Sequence, residues 1–186
     1  MNLPNLLTLS RMGLSLLLVW LLLLPGLGPK VAALLVFTAA ALTDWWDGRI
    51  ARRRGLISKF GVLMDPIADK VLVLCAFAAF VKLGVVAWWM VLLIIARETL
   101  ITGLRMIALA KGQALPAEAS GKVKAASQMV TISLILLFLI ARQKFSGSWL
   151  DQAHRILHAL VFLTMLLTLS SGASFLRHNR KEVFSR

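Results

Sequence analysis

Acid is the scarcest chemistry in this chain. Of 186 residues only 8 are Asp or Glu, against 21 Lys or Arg, which leaves a formal net charge of +13. Cysteine is nearly absent too. Cys75 stands alone inside an apolar stretch, so no intrachain disulfide is possible, and it reads as a small buried hydrophobe. No repeat, low-complexity tract or soluble module interrupts the sequence, and no Gly-x-x-x-Gly pattern marks a helix-pairing stripe. What abounds is hydrocarbon: 59% of residues are hydrophobic, with a mean hydropathy of +0.83. Soluble domains hold about 45–50% apolar residues, so that class is excluded. Disorder is excluded as well, because this much apolar surface does not stay unburied in water. Nucleic-acid binders share the basic charge but not the long apolar runs. A small polytopic membrane protein remains.

Six apolar segments are readable, at about 6–24, 31–47, 62–81, 85–109, 124–141 and 155–176. At about 20 residues per span the length accommodates six transmembrane helices. Helices are expected throughout, since open sheet edges cannot sit in lipid. The expected architecture is all-α, one six-helix transmembrane domain over residues 1–186. Breaks are expected at 25–29, 49–60, 82–84, 110–122 and 142–153. The run Leu14–Leu24 is read as a retained first span rather than a cleaved signal peptide.

Loop charge orients the bundle. Arg11, Arg49, Arg52, Arg53, Arg54, Lys59, Lys111, Lys122, Lys124, Arg177, Arg180, Lys181 and Arg186 fall on one side. Lys30, Lys82, Arg142, Lys144 and Arg155 fall on the other. The positive-inside rule then puts both termini and the 49–60 loop in the cytoplasm. Trp88, Trp89 and Trp149 sit near opposite span ends, as interfacial anchors. His154 and His158 have the i, i+4 spacing of metal ligands but no third ligand nearby, and read instead as an interfacial helix start.

Four of the eight acids lie between positions 44 and 69: Asp44, Asp47, Asp65 and Asp69. Asp44 and Asp47 share a helix face at i, i+3, as do Asp65 and Asp69 at i, i+4. Joined by a loop of about a dozen residues, their two helices run antiparallel, so the pairs can meet near the cytoplasmic end. Each acid at a membrane-helix centre costs roughly 2.5–3.5 kcal/mol, so the cluster needs compensation. Three readings fit the spacing: carboxylates bridged structurally to the basic loop or an ion, a cation pathway, or a metal-assisted phosphoryl-transfer site. Hard oxygen donors suit a pair of Mg²⁺ or Mn²⁺ ions. Gly48, Ala51 and Gly61 leave room for close approach, and Pro66 suits the first turns of a helix starting near Gly61.

The stretch 44–69 resembles the complete CDP-alcohol phosphotransferase signature, D-x2-D-G-x2-A-R-x8-G-x3-D-x3-D, with all eight specified residues in place over 26 positions. Further motifs resemble the phosphatidylglycerophosphate-forming branch of that family: Pro4-Asn5 with Thr8 and Arg11, Ala96-Arg97-Glu98 with Leu104-Arg105, and Gly121-Lys122 with Lys124 and Gln128. Ala125 and Gly103 replace the usual Thr and Ala of those motifs.

The resemblance implies a CDP-alcohol phosphotransferase fold in the bacterial inner membrane, with the active site opening to the cytoplasm. It implies transfer from CDP-diacylglycerol to sn-glycerol 3-phosphate, with CMP released. It gives two divalent cations, Mg²⁺ or Mn²⁺, to Asp44, Asp47, Asp65 and Asp69, with Asp69 also the general base. It gives the CDP-diacylglycerol group to Asn5, Thr8, Gly48, Ala51 and Arg52, and it implies a homodimer in membrane lipid, with no nucleic-acid partner. Other acceptors within the family (serine, an inositol phosphate, phosphatidylglycerol) stay open, as does a cation-binding or transport protein.

The acceptor's phosphate requires its own cations. Arg97, Arg105 and Lys122 are the candidates, with Arg97 and Arg105 eight residues apart, roughly two turns on one helical face. An Arg97–Glu98 pair is disfavoured, because consecutive helical residues do not face each other. Lys124, Arg53 and Arg54 read as topological or lipid-surface charge. Lys70 suits either the aspartates or a phosphate.

Overall fold

The computed structural model of the chain describes residues 3–54, 59–110 and 119–179, with side chains over 10–43, 70–110 and 121–179. Every described element is a helix: α1 (Leu3–Leu23), α2 (Leu27–Arg54), α3 (Lys59–Lys82), α4 (Trp88–Ala110), α5 (Ala119–Lys144) and α6 (Trp149–His178). The six apolar segments become six helices, and all but α1 and α4 outrun their segments at both ends.

That overrun corrects one expectation. The basic stretch expected as a loop over 49–60 is largely helical, since α2 runs through Arg54 and α3 starts at Lys59. Arginine and alanine are strong helix formers, so hydrocarbon ends here before the helix does. Pro66 is also displaced from expectation. It is the eighth residue of α3 rather than part of its first turns, and it has no N–H to give the Val62 carbonyl.

The corners at one end of the bundle are tight. At the α3–α4 corner the Val85 N–H donates to the Phe80 carbonyl and the Gly84 N–H to the Val81 carbonyl, both at 3.0 Å. Gly84 takes φ +68 there, which completes a Schellman ending that L side chains resist. At the α1–α2 corner the Lys30 ammonium donates to the Leu22 carbonyl and, at 2.9 Å, to the Leu24 carbonyl. Lys30 was expected as loop charge; it is buried and closes the carbonyl end of α1, where a cation is favoured.

α1 packs on α2 and α3, α5 on α2, α3 and α6, and α4 on α3 and α6. Leu18, Leu22, Phe37, Phe77, Phe80, Ile94, Ile132, Ile135 and Val161 are enclosed in the centre. Phe77 and Phe80 of α3 meet edge to face with ring centres 6.3 Å apart. Outside, the polarity is inverted. Leu16, Trp20, Leu35, Trp88, Ile107, Val123 and Ile156 are each more than half exposed, while Glu98, Lys124, Gln128, Thr131, Thr164, Thr168 and Ser171 are buried. Hydrocarbon outward and polar groups inward is the distribution a bilayer favours.

Among the described residues, two helical stretches are long and apolar enough to cross a membrane unaided, Gly121–Lys144 and Trp149–His178. Shorter apolar stretches lie at Ser10–Leu23 and Leu27–Thr43. Trp88, Trp89 and Trp149 begin α4 and α6 and are exposed, as interfacial anchors require, and Trp20 joins them near the end of α1. His154 and His158 stack with ring centres 4.7 Å apart, and Phe138 lies 5.9 Å from His154.

Candidate active site

Glu98 is the hub of the polar interior. It sits on α4, only 2% exposed, and draws cations from three helices. Lys70 of α3 reaches Oε2 at 2.8 Å, Arg97 of α4 reaches Oε1 at 3.2 Å, and the Lys124 ammonium of α5 also rests on Oε1. The Gln128 amide donates to Oε1 at 3.4 Å and to the Thr168 hydroxyl of α6 at 3.3 Å. Lys70 donates as well to the Thr102 hydroxyl, which in turn donates to the Glu98 carbonyl at 2.7 Å. A lone acid in so dry a place would be costly; here every partner is charged or a hydrogen-bond donor. The seam continues between α5 and α6, where the hydroxyls of Thr131 and Thr164 meet at 2.8 Å.

Beside this hub lies a cavity of about 290 Å³, lined by Lys70, Arg97, Ile101, Arg105, Gly121, Lys122, Lys124, Ala125, Ser171 and Phe175. Five of these are cations, and none is an acid. Arg97 extends between Glu98 and α6, where its Nη2 donates to the Ser171 hydroxyl at 3.1 Å. The Arg105 guanidinium stands over the Phe175 ring, 5.5 Å from its centre, a cation–π contact that orients it. Gly121 puts no side chain at the mouth of α5, and Lys122 beside it is exposed. A smaller cavity of about 190 Å³ opens on the other side of Lys70 and Lys124, against Val73, Leu74 and Met129. The larger cavity has the chemistry of an anion site, with multiple N–H donors converging in a partly desolvated space.

The structure brings together the three cations that the sequence marked for an acceptor phosphate: Arg97, Arg105 and Lys122 all line this cavity. Three readings change. Lys124 is not lipid-surface charge but is 8% exposed and bound to Glu98. Its spacing of four from Gln128 puts both on one face of α5, the signal that could have revealed it. The disfavoured Arg97–Glu98 pair exists, because the long guanidinium stem bends around the helix and reaches an oxygen its backbone does not face. Lys70 serves Glu98 directly. Gln128, Ser171, Gly172 and Phe175 were not singled out as site residues, and only Gln128 stood in a recognisable motif.

Asp44 and Asp47 lie one turn apart on α2, and Asp65 and Asp69 one turn apart on α3. Gly48, Ala51 and Arg52 follow on α2, and Asn5 and Thr8 lie on α1. The side chains of all these residues fall outside the described ones. Their connection to the cavity is through the chain: Asp69 directly precedes Lys70, so the cationic wall begins one residue after the signature ends.

The model of the CDP-alcohol phosphatidyltransferase family matches residues 1–170. The chain belongs to this family. It is 37% identical over 190 aligned positions to the CDP-diacylglycerol–glycerol-3-phosphate 3-phosphatidyltransferase of Escherichia coli K12, covering 100% of this chain and 98% of that protein. To the protein of the same name from Bacillus subtilis 168 it is 34% identical over 177 positions, covering 89% of this chain and 90% of the relative. The Salmonella choleraesuis SC-B67 relative, again of that name, is 36% identical over the whole chain. In this CDP-alcohol phosphatidyltransferase the family match takes in the signature and the α4 and α5 walls of the cavity, and stops just before Ser171.

Proposed function

We propose that this chain transfers the phosphatidyl group of CDP-diacylglycerol to sn-glycerol 3-phosphate, forming phosphatidylglycerol phosphate and releasing CMP. One observation carries the reading beyond family membership: a cavity walled by five cations begins at the residue after Asp69. An uncharged acceptor alcohol would have no use for that charge, whereas the phosphate of glycerol 3-phosphate requires it. The names and near-complete coverage of the Escherichia coli and Bacillus subtilis relatives point the same way.

In the reaction the acceptor's hydroxyl oxygen forms a bond to the phosphorus that bears diacylglycerol, and the pyrophosphate P–O bond breaks to free CMP. Asp69 accepts the hydroxyl proton, because the alcohol is a poor nucleophile while it keeps that proton. Arg97, Arg105 and Lys122 hold the acceptor's phosphate and so aim its hydroxyl toward the signature. Asn5, Thr8, Gly48, Ala51 and Arg52 hold the CDP group, with Arg52 on a phosphate oxygen. The oxygen-only donor set of Asp44, Asp47, Asp65 and Asp69 suits two Mg²⁺ or Mn²⁺ ions, which when bound would neutralise charge on the pyrophosphate and on CMP.

All six helices cross the bacterial inner membrane in this reading. The inverted polarity supports it, as do the tryptophans gathered at the end of the bundle away from the cavity. Both termini and the cavity then face the cytoplasm, where the loop cations are concentrated. The enzyme acts as a homodimer, as its family resemblance implies.

The test is CMP release by purified protein in detergent with CDP-diacylglycerol and each acceptor in turn. Turnover is expected with glycerol 3-phosphate and not with serine, inositol phosphate or phosphatidylglycerol. Turnover with serine alone would overturn the acceptor assignment. Metal flux through proteoliposomes without CMP release would overturn the enzyme reading.

A further inference from the structure

Glycine stands at several places on these helices, and at most of them its missing side chain meets nothing. A Cβ built at Gly13, Gly28, Gly103 or Gly121 has no neighbour within 4 Å. Gly172 of α6 differs. A Cβ there would lie 2.9 Å from Nε of Arg97, 3.0 Å from its Cγ and 3.5 Å from its Cδ. The space of the absent side chain is filled by an arginine 75 residues earlier in the chain, lying over the α6 backbone. Adjacent Ser171 is 4% exposed and accepts from Nη2 of that arginine at 3.1 Å, while Glu98 holds Nη1 at 3.2 Å from the other side.

We propose that Ser171 and Gly172 form a seat that sets where the Arg97 guanidinium stands in the cavity, which makes Gly172 a positioning residue for the acceptor's phosphate. The inference rests on the reading of this cavity as the acceptor site. Arginine suits that role only when its planar fork is aimed, because paired N–H bonds to phosphate tolerate little displacement. Any side chain at position 172 displaces the arginine stem, since its contacts are with Cγ and Nε and not with a free tip. The α6 backbone has no room to retreat without carrying Ser171 and Phe175 with it, and both line the same cavity. The three atoms nearest a Cβ at Gly172 all belong to Arg97, which in this reading holds the acceptor's phosphate, so the effect is expected on the acceptor.

The test is steady-state kinetics of Gly172→Ala, Arg97→Ala and the double variant, with Gly103→Ala as a control on α4. Gly172→Ala should raise KM for glycerol 3-phosphate about tenfold, in keeping with the cost of displacing a positioning group by a fraction of an ångström. KM for CDP-diacylglycerol should stay within about twofold, and Gly103→Ala should change neither. In the Arg97→Ala background, adding Gly172→Ala should do nothing further, because the residue it disturbs is gone. A Gly172→Ala effect equally large in both backgrounds, or equal on both substrates, would show that it acts on helix packing and overturn the seat. If Arg97→Ala raises the acceptor KM and Gly172→Ala does not, the seat fails and the acceptor site stands. If Arg97→Ala leaves that KM unchanged, the acceptor-site reading fails and the seat with it. Should Gly172→Ala not fold, Ser171→Ala decides: a rise confined to the acceptor KM supports the seat, and no rise overturns it.

Discussion

Lys124 of α5 and Glu98 of α4 join as an ion pair in the interior of the bundle, their side chains 9% and 3% exposed. Lys70 holds the other carboxylate oxygen at 2.8 Å but is 28% exposed. The two lysines therefore differ in what their loss would leave behind. Removing Lys124 strips the acid of its driest partner, a change that costs roughly 3–5 kcal/mol for buried pairs in water. Removing Lys70 opens a site that water can reach.

The expected order is thus Lys124→Ala more destabilising than Lys70→Ala. Thermal unfolding of both variants in the same detergent measures it. The reverse order would place the energetic weight of the hub on α3 rather than on α5.

Arg105→Ala and Lys122→Ala should each raise KM for glycerol 3-phosphate and leave KM for CDP-diacylglycerol nearly unchanged. A charge-assisted hydrogen bond contributes about 1.5–3 kcal/mol, which corresponds to roughly ten- to a hundredfold in affinity. Arg105 should show the larger effect, because the Phe175 ring orients it, whereas exposed Lys122 is surrounded by solvent. Equal rises in both KM values would assign these cations to folding instead.

Asp69→Asn should remove nearly all turnover, since the amide cannot accept the hydroxyl proton. Chelation with EDTA should abolish CMP release from the unmodified enzyme, and added Mg²⁺ or Mn²⁺ should restore it. Full activity in excess chelator would remove the metal assignment of Asp44, Asp47, Asp65 and Asp69.

Lys30→Met should lower stability by about 1–2 kcal/mol through loss of the cap on α1. Because Lys30 lies at the end of the bundle away from the cavity, kcat and both KM values should hold. Unfolding curves and kinetics on one preparation separate the two outcomes. A kinetic change without a stability change would contradict a purely capping role.

The helices were legible because a bilayer demands long apolar runs, and such runs need no tertiary partner to be recognised. Their ends were less so: Arg49 to Arg54 carry charge and good helix propensity together, and a reading of hydropathy alone stops too soon. Arg97, Arg105 and Lys122 were legible as a set because motif spacing kept them together. Glu98 was not, since its partners come from three helices and the i, i+1 rule argued against the one partner beside it. Gly172 carried no signal at all, because the reason for a glycine there is the side chain of a residue on another helix.

The arrangement of the Glu98 hub also bears on how the chain is made. Lys70 precedes Glu98 by 28 residues, and α3 and α4 are joined by the tight corner at Gly84. As the chain emerges, Lys70 is thus made before Glu98, and the tight corner joins their two helices as one hairpin. Lys124 and then Ser171 follow later in the chain and complete the polar lining of the cavity. On this order of synthesis the acid that organises the cavity always follows a cation that it will pair with.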